Sequence, residues 1–422
     1  MTTTLIKNIH LFTGTDFTPL RRITLVDDHL DNLNAPTVAA DRLIDGQGGY
    51  LIPGLIDAHT HTSNAGLHDA LKFGVTTELE MMGQANRRNR PTDLPMADVR
   101  SAGMGVTAKG GHPSELHEGA GIPASVQKEL DAMTPEQRAA MLADHRRAQG
   151  KHGAIVTPED ARNFVKAQIA DGANYIKIML DDGQYEASKP LPVLPQEVLA
   201  AAVDEAHAHG KLVLAHALAQ RFALEAVELG VDGLAHLFLE RDDQTPAVLD
   251  AIAEHHVFVT PCLVLNASLT GHIPENIAQD SRVLSRLSTD WQANLNRTFG
   301  TAPQLDFANS LANVAALRDR GVRILAGTDV SQPAPNLGGL AHGASVHHEM
   351  QLLTQAGLTP AEALQSATAT PAKIFTPDRG VLAPDKRADL ILLGHNPLLD
   401  IRATLDIQAI WQAGKLLPIT IG

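Results

Sequence analysis

The alternation of apolar and polar positions divides the chain into three stretches. Residues 1 to 54 alternate with a period of two, in Thr4-Leu-Ile-Lys-Asn-Ile-His-Leu-Phe12 and again in Arg22-Ile-Thr-Leu-Val26, with turn residues clustered at Asp45-Gly-Gln-Gly-Gly49. That period predicts short strands and no helix. From Leu55 the pattern becomes strand, turn and helix in repetition. Apolar runs predict strands at Leu55–His61, Val75–Met81, Gly105–Gly110, Tyr175–Leu180, Leu212–Ala217, Gly233–Phe238, Val257–Val264 and Val322–Asp329. Such runs fit parallel strands buried on both faces.

Helix signals separate most of these runs. Thr157-Pro-Glu-Asp160 supplies a threonine cap with proline at the first helical position. Pro195–Gly210 is alanine-rich with a glycine stop, and Gln220–Gly230 and Pro246–His256 are further helical stretches. Thr359-Pro-Ala-Glu362 is a capping box. After Gly380 the tail returns to a strand pattern, in Gly380–Leu393 and Ile407–Leu417. The expected fold is α/β: a (β/α)8 TIM barrel over residues 55–377, with a small β-sandwich domain built from both chain ends, 1–54 and 378–422. An open doubly wound sheet is disfavoured by the count of strands and by the lack of a glycine-rich dinucleotide fingerprint.

Two insertions follow predicted strands. Residues 112–156 include a second capping-box start at Thr134-Pro-Glu-Gln137, and residues 265–312 carry a polar helix around Arg282–Thr298. Loops after barrel strands lie on the catalytic face, so these insertions are candidates for a lid or for a subunit contact in a homo-oligomer.

Composition narrows the field. The chain has 422 residues, a 44% hydrophobic fraction and a formal net charge of -14. A sizeable core is available, and the acidic balance argues against a nucleic-acid partner. The single cysteine, Cys262, excludes an intrachain disulfide and a thiolate metal cluster. No secretory pattern opens the chain and no apolar run is long enough for a membrane helix, so a cytoplasmic protein with a small-molecule substrate is expected.

The chemistry sits at the C-terminal ends of the predicted strands. The first ends in His59 and His61, which project to the same face about 6–7 Å apart along the backbone. The fourth carries Lys177, the fifth ends at His216, the sixth carries His236 and the eighth ends at Asp329. Four neutral imidazoles and a carboxylate suit Zn²⁺ or another divalent first-row ion. Read alone, His59 and His61 are also compatible with surface histidines, and Lys177 with a lysine reaching water. A lysine ammonium buried beside metal cations is strongly disfavoured, whereas the neutral amine can take up CO₂ as a carbamate able to bridge two metals.

In this order, His59-x-His61 after Pro53-Gly-Leu-Ile-Asp-Ala, then Lys177, His216, His236 and Gly327-Thr-Asp329, the chain resembles the amidohydrolase superfamily. The tail, Ala388-Asp-Leu-Ile-Leu-Leu-Gly-His-Asn-Pro397 followed by Ala413-Gly-Lys415, extends the resemblance to nearly the whole length. Gly172–Met179, Gly110-Gly-His112 and Thr359-Pro-Ala-Glu-Ala-Leu364 are similar to the imidazolonepropionase-like branch. That branch includes metal-dependent Xaa-Pro and Xaa-Arg dipeptidases and ochratoxin-type amidases.

The resemblance implies a metal-dependent hydrolase of an amide bond, in a peptide or an N-acyl amino acid, with two divalent metals, Zn²⁺ or Mn²⁺. His59, His61 and Asp329 would hold one metal and His216 and His236 the other, with carbamylated Lys177 bridging. A metal-bridging hydroxide would attack, Asp329 would carry its proton to the leaving amine, and His112 would assist at the carbonyl oxygen. A lactam or lactone hydrolase, a deaminase and a non-catalytic scaffold are the alternatives, and Lys177 argues against the deaminase. The chain departs from the family pattern at Glu78-Leu-Glu-Met-Met-Gly83 and at the head turn, Asp27–Asn32. Lys109 and Arg241 are candidate partners for a substrate carboxylate.

Overall fold

The computed structural model describes residues 2–31, 40–83, 94–117, 154–186 and 189–418, with Thr134, Pro135 and Arg138. Most of insertion 112–156, including the full capping box expected at 134–137, lies outside the described residues.

The head and tail join one sheet. Its strands are β1 (Thr3–Leu11), β2 (Arg21–Val26), β3 (His29–Leu30), β4 (Arg42–Pro53), and, from the tail, β12 (Leu390–Leu393), β13 (Ile407–Gln412) and β14 (Lys415–Leu416). The order is β14-β13-β12-β4-β1-β2-β3. Strand β4 is the join, parallel to β1 and antiparallel to β12. The period of two sorts its side chains. Ile6, Ile23, Leu25, Leu51, Leu390, Leu392 and Trp411 share one cluster, so residues from both halves of the sheet meet. Their neighbours Ile52, Ile391, Leu393 and Ile410 belong instead to the main core.

The rest of the chain carries short parallel strands: β5 (Leu55–Thr60), β6 (Val75–Glu80), β7 (Asp98–Ser101), β8 (Ile176–Met179), β9 (Val213–His216), β10 (Gly233–Leu234) and β11 (Phe258–Val259). They pair in two groups, β5-β6-β7 and β8-β9-β10-β11. Isolated parallel bridges connect the groups. Val106 bridges Ile178, Val259 bridges Ile324, and Val330 bridges Thr60. Followed in this order, the pairings lead from β5 back to β5. The expected helices lie between: Pro158–Ala170, Gln196–Ala208, Gln220–Glu228, Thr245–Glu254 and Pro360–Ser366. Both capping boxes, Thr157 with Asp160 and Thr359 with Glu362, are formed.

Three strands differ from expectation. The third is displaced: Asp98–Ser101 pairs with β6, and of Gly105–Gly110 only Val106 bridges, to β8. The sequence Asp-Val-Arg-Ser is half charged, so no apolar run marks it. Asp98 is held instead by Arg379 and Arg387, and Arg100 by Asp98. The seventh stops at Val259, because the backbone turns left-handed at Cys262 and Leu263–Leu269 is helical. The eighth, 322–329, is held through bridges at its two ends rather than as a continuous strand. In insertion 265–312 the single polar helix is broken into Ser281–Leu284 and Thr289–Leu295, because Ser288 caps a new start. Trp291 then pins the second piece, donating from Nε1 to Asp69.

Candidate metal centre

His59, His61, His216 and His236 lie at or just past the C-terminal ends of their strands, Lys177 lies within β8 and Asp329 closes the bridged segment 322–329, which is why residues far apart in sequence converge. His59, Lys177, His216 and His236 are buried, and His61 and Asp329 are partly covered. Asp329 Oδ1 lies 3.0 Å from His59 Nε2 and 2.9 Å from His61 Nε2. Lys177 Nζ lies 3.2 Å from His59 Nε2. The His236 ring stands 4.5 Å from that of His59 and 4.6 Å from that of His216. His236 Nε2 is 3.9 Å from Asp329 Oδ2.

The backbone around these groups is tightly specified. Asp57, fully buried, accepts from the amides of His59 and Thr328 at 3.1 Å and from the Thr328 hydroxyl at 2.7 Å. It thereby locks β5 to the segment that carries Asp329. A Cβ at Gly327 would stand 2.8 Å from the His59 nitrogen, so only glycine allows that approach. Asp329 itself has φ of +59°.

The protonation pattern is that of a cation site. His59 Nδ1 donates to the Ala235 carbonyl at 2.8 Å, so its Nε2 carries a lone pair. Burial, with Lys177 nearby, holds the His59 pKa at about 4, so the ring is neutral. Nε2 and Asp329 Oδ1 are then two acceptors facing each other at 3.0 Å. A cation beside both makes that arrangement favourable, either a metal ion or the Lys177 ammonium 3.2 Å from Nε2. His236 adds a second sign: neither ring nitrogen has a hydrogen-bond partner among the described residues, and burial holds its pKa well below the usual range. Burial also lowers Lys177 to about 8, towards a neutral, nucleophilic amine. The donor set fits a divalent metal.

Beside this group lies a second one that the sequence did not bring out. The His112 ring stacks on His216 with centroids 4.1 Å apart. His112 Nδ1 is 2.6 Å from Glu115 Oε1 and 3.6 Å from Glu186 Oε2. Asp181 Oδ2 is 3.1 Å from His216 Nε2. Burial pushes the Glu186 carboxyl up to about 7, against the lowering influence of His112. His112, Glu186 and His216 place ligand atoms within 4.8 Å of one another, as do His59, His236 and Cys262. Asp181 lies two residues past the end of β8, so the strand-end reading also reaches it. Glu115, in the 3-10 turn Ser114–His117, and Glu186, in a turn, carry no such signal.

The two proposed carboxylate partners are not gathered here. Lys109 is exposed, and Arg241 donates to Asn313. Glu78, where the sequence departs from the family, is fully buried and paired with His342 Nδ1 at 2.9 Å. Among the described residues no helix is long and apolar enough to cross a membrane.

A candidate metal site at the strand ends of an α/β fold is what these features define. The chain belongs to the amidohydrolase family, whose sequence profile matches residues 50–419, and so to the hydrolases of carbon–nitrogen bonds. It is 25% identical over 332 residues to the uncharacterized protein Rv2915c of Mycobacterium tuberculosis, covering 79% of this chain and 75% of that one. Among solved structures it is similar to a Xaa-Pro dipeptidase with bound methionine in the active site, with a TM-score of 0.70, 21% identity and coverage of 99% and 100%. It is also similar to A. niger ochratoxinase, with a TM-score of 0.69, 20% identity and coverage of 99% and 96%. At these identities the structural likeness concerns the fold.

Proposed function

We propose that this protein hydrolyses an amide bond, in a dipeptide or an N-acyl amino acid, at a centre of two divalent metals. The returning strand order is read as a (β/α)8 barrel over residues 55–377, and the joined head and tail, 1–54 and 378–422, as a small β-sandwich domain. His59, His61 and Asp329 would hold one metal, Zn²⁺ or Mn²⁺, and His216 and His236 the other. Lys177 would serve both as a carbamate, its neutral amine nitrogen having bonded to the carbon of CO₂ with loss of one N–H proton. When bound, the metals supply Lewis acidity that activates water and polarises the scissile carbonyl. Asp329 receives a proton on its carboxylate and passes it to the leaving nitrogen. Against the effect of burial, Glu115 and Glu186 hold His112 in the protonated form, and it would donate from Nε2 to the carbonyl oxygen while Nδ1 donates to Glu115.

The observation that carries this reading is the pair of facing acceptors, His59 Nε2 and Asp329 Oδ1, 3.0 Å apart. Elemental analysis tests it. The expected content is about two metals per chain, falling to one or fewer in Lys177→Ala. A folded protein that takes up no metal would remove the reading. A mass-spectrometric screen of the metal-loaded protein against dipeptides, N-acyl amino acids, lactones and lactams then identifies the bond.

A further inference from the structure

The group beside His216 contains more negative charge than its own partners can satisfy. His112 Nδ1 has one hydrogen to give, and Glu115 at 2.6 Å takes it. Glu186 Oε2, 3.6 Å from the same nitrogen, has no hydrogen-bond partner among the described residues. Its side chain is 7% exposed. Glu115 Oε2 is likewise buried without a partner. Asp181 is occupied by His216 and by the Gly183 amide. A buried carboxylate without a donor is costly unless something supplies one.

We propose that Glu186, with Glu115 beside it, forms a subsite for a cationic nitrogen of the substrate, a primary ammonium adjoining the scissile amide. The assignment rests on the hydrolase reading above and sharpens it. It selects substrates with a free amine, such as dipeptides, over N-acylated amino acids. The location fits, because His112 and His216 couple the carboxylates directly to the metal centre. An ammonium brings three donors, enough to serve Glu186 Oε2 and Glu115 Oε2 together.

The test compares dipeptides with their N-acetyl counterparts, using the Zn²⁺- or Mn²⁺-loaded full-length protein. The wild type is expected to prefer the free amines. Glu186→Gln is expected to lower kcat/KM for them about tenfold to a hundredfold more than for the N-acetyl set, mainly through KM, the range for one charge-assisted hydrogen bond. Metal content should stay at the wild-type value. Glu186→Lys, which places an ammonium on the protein itself, should remove or invert the preference. Equal losses on both sets, or a preference for N-acetyl substrates, would overturn the proposal. A lowered metal count in Glu186→Gln would do so too, by making this group a metal site.

If neither set turns over, the hydrolase reading fails first, and calorimetric titration with glycinamide and N-acetylglycinamide still decides on the subsite. Selective binding of glycinamide that is lost in Glu186→Gln supports it. Equal binding or none rejects it.

Discussion

Two charged clusters in this protein look alike in a residue count and differ in what they lack. One joins β7 to the segment before β12. There Asp98 lies 2.8 Å from Arg379, 3.0 Å from Arg387 and 3.1 Å from Arg100. Arg379 also reaches Asp378 and the Thr77 hydroxyl. Donors and acceptors alternate, so the cluster holds itself together. The other is the strand-end group of four histidines, Lys177 and Asp329, in which lone pairs face one another and His236 has no partner. Self-satisfied charge marks a joint of the fold, and a set of donors of one kind marks a place for a ligand.

The sharpest way to break this comparison is at Asp329. Asp329→Asn keeps the shape and removes the charge, and is expected to lower kcat/KM by about a thousandfold or more, with reduced metal content by elemental analysis. Turnover at the wild-type rate would mean that the facing acceptors are not the centre. In the other cluster, Arg379→Met removes the guanidinium shared by the partly exposed Asp98 and the buried Asp389 and should cost about 3–5 kcal/mol of stability by denaturant unfolding, with metal content unchanged. A loss below about 1 kcal/mol would put this joint on the footing of surface ion pairs.

A smaller effect comes from acid. Burial pushes the Asp98 carboxyl up, but Arg100, Arg379 and Arg387 outweigh it and hold the pKa at about 2, against 3.8 for the free side chain. As pH falls, the unfolded chain therefore binds this proton first. The contribution, at most about 2 kcal/mol, is complete above pH 4 and lost as pH drops through about 2. Unfolding midpoints between pH 5 and 2 measure it, and Arg379→Met should flatten the profile. Smallest is the cap outside both clusters: Thr359→Ala should cost about 1 kcal/mol and leave metal content alone.

What the sequence revealed follows from the same distinction. Lys177, His216, His236 and Asp329 could be picked out because each interrupts or closes an apolar run, where a polar residue is conspicuous. Strand β7 was not, because Asp98 is stabilised by Arg379 and Arg387, which lie far along the chain, and Arg100 pairs with Asp98 itself. Glu115 and Glu186 were equally hidden, since loop carboxylates read as solvated surface until the fold buries them. The left-handed turn at Cys262, which ends β11 early, follows Thr260-Pro261 and has no signature of its own. The helices fared better because Thr157, Thr359 and their partners at the third position act locally.

The placement of β4 imposes a timetable on synthesis. Its partner β1 leaves the ribosome before it, but β12, on its other edge, emerges only after the helices and strands of residues 55–377. Until then β4 presents open backbone amides and carbonyls, and apolar side chains such as Ile52, to the cell. A nascent chain stalled before Leu390 is thus a candidate for chaperone capture and for aggregation through that edge.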